Sequence, residues 1–440
     1  MSSLARYFNT QGYTVAGYDR TRSTLSSQLE SEGIVVTYED DINSVSTEFK
    51  TSNKAVMVVY TPAIPRENTL FDFFKNNEFA ISKRAEILGV ITRQTINLSV
   101  AGTHGKTTTS SMVATILQQS DLKFSAFLGG ISTNLGSNYY YQEGESEHYS
   151  VAEADEFDRS FLNLNPQYTV ITSTDADHLD VYGKKSELLR SYVEFSELVV
   201  NKENRFYALH HADELDGVSY AIEDSKADYY AKVHAISGRG TSFDIVTKDG
   251  NVYFEDLYIN IPGKHNLENA IGATLMSAKA GVNVEAIKSG LANFKGIKRR
   301  FEYVIDNESL ICIDDYAHHP SELKAIISSV KDLYPGKHIT AVFQPHLFSR
   351  TMDFMSEFAT ELSLVDRLFI LPIYPARELP MEGVTSEKLL KKIKLPSAQV
   401  VQKENLIEEL NKNKIEILLT LGAGDIDRLV EPIAKSCGDK

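Results

Sequence analysis

Residues 96–119 read INLSVAGTHGKTTTSSMVATILQQ, and this stretch leaves the chain few ways to fold. A buried-type apolar strand runs into a turn carrying Gly102 and Gly105. A helical pattern follows, with Met112, Val113, Ile116 and Leu117 on one face. Strand, glycine turn and helix open a βαβ unit, so a parallel sheet covered by helices is expected around them. The turn is two residues shorter than the common G-x-x-x-x-G-K-[ST] phosphate loop. Its parts are still those of an anion site, because glycines let backbone N–H groups approach closely and the helix N-terminus adds its positive end. The pattern predicts that Gly102, Thr103, His104, Gly105, Lys106, Thr107 and Thr108 cradle the phosphates of a nucleotide. Lys106 would reach the terminal phosphates, and the Thr107 hydroxyl would ligate Mg²⁺. The plain alternative is a glycine turn before an ordinary capped helix.

Ligands of open α/β sheets gather outside the carboxyl ends of the strands. The strand pattern in YSVAEADEFD ends at Glu153 and Asp155, and that in VITSTDADHLD ends at Asp175, Asp177 and His178. Mg²⁺ takes one or two carboxylates plus phosphate oxygens. An imidazole suits a second metal, or Mn²⁺, better. These two strand ends therefore bring hard oxygen donors and an imidazole to the edge where Lys106 and Thr107 stand, against the simpler reading of solvated loop acids and an ordinary loop histidine.

At 440 residues the chain exceeds one ordinary core, and it reads as three blocks with boundaries near residues 97 and 295. The first alternates helix and strand patterns and opens directly in a helix, SSLARYFNTQ. The second holds the phosphate-loop strand and two further short strands, then β-rich pieces with a hairpin turn at Asp249-Gly250, then a helix after Pro262-Gly263. The third alternates again, with strands in SLICIDD, HITAVFQ, RLFILPI and EILLTLG. A net charge of −15 argues against a nucleic-acid partner. Two cysteines exclude a disulfide framework or a cysteine zinc site. No apolar run approaches the ~20 residues of a membrane span, and no signal-peptide order opens the chain, so a reducing cytoplasmic setting without membrane attachment is expected.

The third block's strands end in DDYAHHP, QPHLFSR, IYPARE and GAGD, which carry His318, His319, His346, Arg350 and Arg377. Ordinary turn chemistry would favour Gly, Asn, Asp and Ser there. Paired histidines and arginines beside prolines instead mark a substrate edge.

With AGTHGKTTT, DADHLD, PGKHNLENA, RRFE, DDYAHHPSE, FQPHLFSRT, YPARE and GAGDI in this order, the whole chain resembles the Mur ligases. The resemblance implies an α/β fold in three domains. These are a Rossmann-like UDP-binding domain over 1–97, a central P-loop ATPase domain with a parallel sheet and a β-rich part over 98–295, and a Rossmann-like amino-acid-binding domain over 296–440. It also implies an ATP-dependent ligation of L-alanine to the carboxylate of UDP-N-acetylmuramate through an acyl phosphate, by a monomer or homodimer. In that chemistry Lys106 and the loop amides offset charge on the transferred phosphoryl, Thr107 and Glu153 hold Mg²⁺, and His178 sits at a second metal. His265 and Asn269 contact the adenine, Asp315 the ribose, and Arg300 the phosphates. Tyr316 and His318 lie beside the incoming alanine, while His346 and Arg350 steer the muramoyl substrate and the transition-state charge.

Three departures stand out. Relatives carry a first strand and a G-x-G-G-x-G-M-S loop, whereas this sequence opens at Met1-Ser2, so the first domain is expected to lack its central strand and its pyrophosphate cradle. That would weaken UDP binding, and a shortened start is the reading adopted. Asp19 falls where a ribose-binding acid would, with a simple strand-end aspartate as the alternative. Leu347 and Ser173 replace an Arg and an Asn common in relatives. The competing functions are a ligase that recycles a preformed tripeptide onto the same nucleotide sugar, and a nucleotide-binding protein inactivated by loss of the N-terminal loop.

Overall fold

The computed structural model describes residues 1–440 except 52–53, 63, 66, 176–181, 238–239, 377 and 439–440. The chain forms two compact units, Met1–Lys295 and Gly296–Lys440.

The first unit is built on strands β1 (Ala16–Tyr18), β2 (Val35–Thr37), β3 (Met57–Tyr60) and β4 (Ala80–Lys83), followed by ten that share one sheet. The ten are β5 (Ile96–Ala101), β6 (Phe124–Ser132), β7 (Ser137–Gln142), β8 (Tyr149–Glu153), β9 (Tyr168–Ile171), β10 (Arg205–Ala208), β11 (Val218–Ile222), β12 (Tyr229–Ser237), β13 (Gly240–Thr247) and β14 (Val252–Ile259). Their order is β14-β13-β12-β11-β10-β9-β5-β8-β6-β7. From β12 through β6 the pairings are parallel, and the antiparallel hairpins β6–β7 and β12–β13–β14 close the two edges. β5 lies between β8 and β9, and its Leu98, Val100 and Ala101 are fully buried. That is why it reads as an unbroken apolar run rather than an alternating one. Met112, Val113, Ile116 and Leu117 of the helix Lys106–Gln118 are equally buried.

β1 pairs with β2 and β3 with β4, both in parallel. Among the described residues no strand joins the two pairs. The helix Ser2–Thr10 is held to the large sheet instead. Arg6 reaches Asn138 of β7 at 2.6 Å and Glu32 at 2.7 Å, and Leu4 shares a core with Ile87, Phe127 and Phe161.

The second unit has strands β15 (Glu302–Asp306), β16 (Ile311–Asp315), β17 (Ile339–Phe343), β18 (Arg367–Ile370), β19 (Ala398–Val400) and β20 (Ile417–Leu421), ordered β15-β16-β20-β17-β18-β19. All neighbours are parallel except β15 on β16. Ile313, Ala341, Ile417 and Leu419 pack into one core cluster, and Cys312, Val342 and Leu418 into another. Successive strand residues thus serve opposite faces of the sheet.

Strand patterning alone passes over several of these elements. AISK (β4) and AQV (β19) are short, and β6 carries Gly129 and Gly130, which break an apolar pattern. Among the described residues no helix is long and apolar enough to cross a membrane.

Candidate active site

The turn after β5 requires glycine twice. Gly102 has φ +134°, and a Cβ there would stand 2.2 Å from Thr172 Oγ1; Gly105 has φ +81°, and its Cβ would stand 2.6 Å from Asn269 Oδ1. The loop is tied to the residues just after β9. Thr103 N donates to Ser173 O at 3.1 Å, His104 N to Ser173 Oγ at 2.7 Å, and Thr103 Oγ1 to Asp175 O at 2.8 Å. The Thr172 hydroxyl donates to His104 O. Ser173 therefore shapes the loop itself. His104 Nε2 lies 3.8 Å from the Asp175 carboxylate.

Lys106 opens the following helix, and its ammonium folds back over the loop. It donates to Gly102 O at 2.6 Å and to Glu156 Oε1 and Oε2 at 2.9 and 2.8 Å. The pair is buried, with 14% and 1% of the side chains exposed. Burial works against the Lys106 charge, but Glu156, Glu153 and Asp155 outweigh it and raise the ammonium above its ordinary pKa. Thr107 and Thr108 are half-buried, and their side chains make no hydrogen bond among the described residues. Glu156 was missed in sequence because it lies one residue past the strand-end acids that periodicity singled out. The signal available was that a lysine this deep needs a buried counter-charge.

Glu153 ends β8 opposite Val100 of β5. Its Oε2 accepts the Gly129 N–H at 2.8 Å, and a Cβ on Gly129 would stand 2.4 Å from both carboxylate oxygens. Gly129 thus makes room for the carboxylate and aims it, a role no local motif announces. Asp155 Oδ1 accepts the Phe157 N–H at 3.1 Å. His178 and Asp177 lie outside the described residues. Among those described, no group of three or more His, Cys, Asp or Glu is arranged to hold a metal. Mg²⁺ does not need such a cage, since one or two carboxylates and substrate phosphate suffice. The second oxygen of Glu153 and the Thr107 hydroxyl fit that donor set.

Asn269 is buried beside Gly105, while His265 is exposed on the first turn of the helix Lys264–Lys279, its ring over Gly263. Asp19 is exposed and accepts the Thr21 N–H at 3.1 Å, a local turn contact. A cleft of about 560 Å³, its open mouth included, is lined by Thr61, Lys83 and Arg84 and, from the large-sheet side, by Glu153, Asp155 and Phe157.

In the second unit the parallel strands β16, β20, β17 and β18 end at one edge, and their loops gather the histidines there. The Tyr316 ring lies against two guanidiniums, Arg299 at 5.3 Å and Arg300 at 5.6 Å. The twin arginines divide their work. Arg299 pairs with buried Asp314 at 3.0 Å and donates to Gly422 O at 2.7 Å, whereas Arg300, 39% exposed, faces Glu322 at 3.6 Å. Asp315 accepts the Phe301 N–H at 2.7 Å and the Ala317 N–H at 2.8 Å. Burial pushes its carboxyl up to about 6, with Arg300 opposing.

His318 Nδ1 lies 2.9 Å from Tyr316 O and 3.3 Å from Glu322. Its ring meets His346 edge-on at 6.0 Å, and His346 stacks on Tyr374 at 5.7 Å. Arg350 stands in the helix Phe348–Asp353 beside both imidazoles. Burial, then His318 and Arg350, press His346 down to about 4; burial also lowers His318, against Glu322. Both rings are therefore neutral at pH 7. His346 Nδ1 is buried without a hydrogen-bond partner among the described residues. Leu347, next in the chain after His346, holds φ +70°, an unusual value for a leucine, with its N–H on Tyr374 O at 2.9 Å. His319 does not join this cluster: it caps the helix Pro320–Leu333 and packs on Phe354 at 4.7 Å. Arg377 lies outside the described residues.

Comparison with known proteins agrees with this layout. Residues 1–95 match the Mur ligase family catalytic domain, 100–277 the Mur ligase middle domain, and 299–425 the Mur ligase glutamate ligase domain. The chain is 45% identical over 436 residues to the UDP-N-acetylmuramate–L-alanine ligase of Christiangramia forsetii, covering 99% of this chain and 95% of that one. The enzyme of the same name from Flavobacterium johnsoniae is 45% identical over 435 residues, at 99% and 95% coverage. Among solved structures, the UDP-N-acetylmuramate-alanine ligase of Thermotoga maritima superposes with TM-score 0.81 at 24% identity over 100% of this chain and 96% of that one. A murein peptide ligase of Psychrobacter arcticus does so with TM-score 0.72 at 20% identity, over 100% and 97%. These two establish the three-domain α/β fold, and the sequence matches establish kinship: the chain belongs to the Mur ligase family.

Proposed function

We propose that this protein is an ATP-dependent ligase that joins L-alanine to the carboxylate of UDP-N-acetylmuramate through an acyl phosphate, a step of peptidoglycan synthesis. The observation that carries this reading is the Lys106 loop beside the Glu153 strand end, in a chain alike over its whole length to relatives bearing that name. We read it as three domains, 1–97 for the UDP-sugar, 98–295 for ATP and 296–440 for the amino acid, working in the cytoplasm.

The muramoyl carboxylate attacks the γ-phosphorus of ATP, and ADP leaves. Phosphoryl transfer is chiefly positioning and charge stabilisation, which Lys106 and the N–H groups of residues 102–108 supply. Thr107 and Glu153 would hold Mg²⁺, with His178 at a second ion, and the bound metal would supply neutralisation of phosphate charge. His265 and Asn269 serve the adenine, Asp315 the ribose, Arg300 the phosphates and Asp19 the UDP-sugar. Tyr316 and His318 receive alanine. Its ammonium must lose a proton before the amine attacks the acyl carbon, and the neutral rings of His318 and His346 can accept its hydrogen bonds. Arg350 stabilises charge on the tetrahedral intermediate as phosphate departs. The relatives named above favour alanine over a tripeptide as the acceptor.

Phosphate release from ATP tests the reading, with UDP-N-acetylmuramate and L-alanine each omitted in turn. Release that needs both supports it. Release with a tripeptide but not alanine selects the recycling enzyme, and no release with either acceptor overturns the ligase reading.

A further inference from the structure

The cleft beside Glu153 holds a cation that the reaction as described leaves unused. Among the described residues, two basic side chains line it, Lys83 and Arg84. Lys83 is committed to Asp158 at 3.1 Å. Arg84 makes no hydrogen bond or ion pair among the described residues, and its Nε is buried without an acceptor. A buried guanidinium N–H without a partner is unfavourable, so the site is built for an acceptor that arrives from outside.

Its surroundings say which kind. Arg84 opens the helix Arg84–Arg93 directly after β4, and Ile87, Leu88 and Ile91 of that helix are buried, so the guanidinium stands on a rigid base. Glu153 and Asp155 line the same cleft and would repel an incoming anion. The carboxylate that is to be phosphorylated must nevertheless come close to Glu153 and the phosphate loop. It needs a cation in this cleft, and a planar two-pronged donor matches a carboxylate better than an ammonium does.

We propose that Arg84 binds the carboxylate of the nucleotide sugar, the group that the ligase activates; the assignment rests on the function proposed above. It makes Arg84 a selector for sugars that carry the acid over those that lack it.

Calorimetric affinities of the wild type and R84Q test this with two probes, UDP-N-acetylmuramate and UDP-N-acetylglucosamine, the latter lacking the lactyl carboxylate. Charge-assisted hydrogen bonds of this kind are worth about 10- to 100-fold in affinity. R84Q should therefore lose about that much for the acidic sugar and under about twofold for the neutral one. Equal losses for both, or none for either, overturn the assignment. R84K, which keeps the charge but not the fork, should lose less than R84Q. It replaces R84Q if melting shows R84Q unfolded, and the same selective-versus-equal criterion then decides. A wild type that binds both sugars but forms no product with alanine sinks the ligase reading, while the ratio of affinities still decides Arg84. A wild type that binds neither sinks both.

Discussion

The Lys106–Glu156 pair shows most directly what single residues contribute. Each half is buried and each carries charge, so removing one strands the other. K106A should abolish ligation and also destabilise the protein by about 3–5 kcal/mol, the usual cost of an uncompensated buried charge. The double variant K106A/E156Q should regain most of that stability while remaining inactive, which melting curves and phosphate release would separate. If K106A melts like the wild type, the pair is not structurally important. The strand, glycine turn and helix around Lys106 could be read from sequence because glycines, lysine and threonines stand side by side in one segment. Glu156, Gly129 and Arg84 could not. Each meets its partner or its site through the fold, across intervals that periodicity does not span.

Among elements, β5 owes its role to its neighbours. The strand itself is legible as an apolar run, but only the sheet order puts β8 on one side and β9 on the other. β8 delivers Glu153, and the residues after β9 tether the loop through Ser173 and Asp175. β6 adds the backbone donor that aims Glu153. G129A should push that carboxylate aside, because the added methyl would stand 2.4 Å from both oxygens. The expected outcome is a rise of about tenfold or more in the Mg²⁺ needed for half-maximal activity, the scale of losing a ligand's supporting contact. An unchanged Mg²⁺ requirement in a folded, active variant would show that Glu153 does not need Gly129. The β6–β7 hairpin and the short strands β4 and β19 escaped the sequence reading for a different reason, whereas the β13–β14 hairpin was announced by its Asp249-Gly250 turn. The former are brief or interrupted by glycine, and only pairing with a neighbour makes them strands.

At the scale of the whole molecule, the two units have separate cores, and the boundary falls between Lys295 and Gly296. That organisation predicts two thermal transitions. I417A removes buried volume between β16 and β17, where Ile417 is fully buried, and should cost about 2–5 kcal/mol. Scanning calorimetry should show one transition moved down and the other unmoved; a single transition shifting as one would refute the division. The alternation of strand and helix patterns that an α/β fold requires was visible in the sequence. The paired charges at Lys106 and Glu156 also bear on ancestry. A lineage losing this activity cannot discard either residue alone without passing through a poorly folded form. In decayed copies of the gene, the lysine and the glutamate should therefore disappear together or persist together.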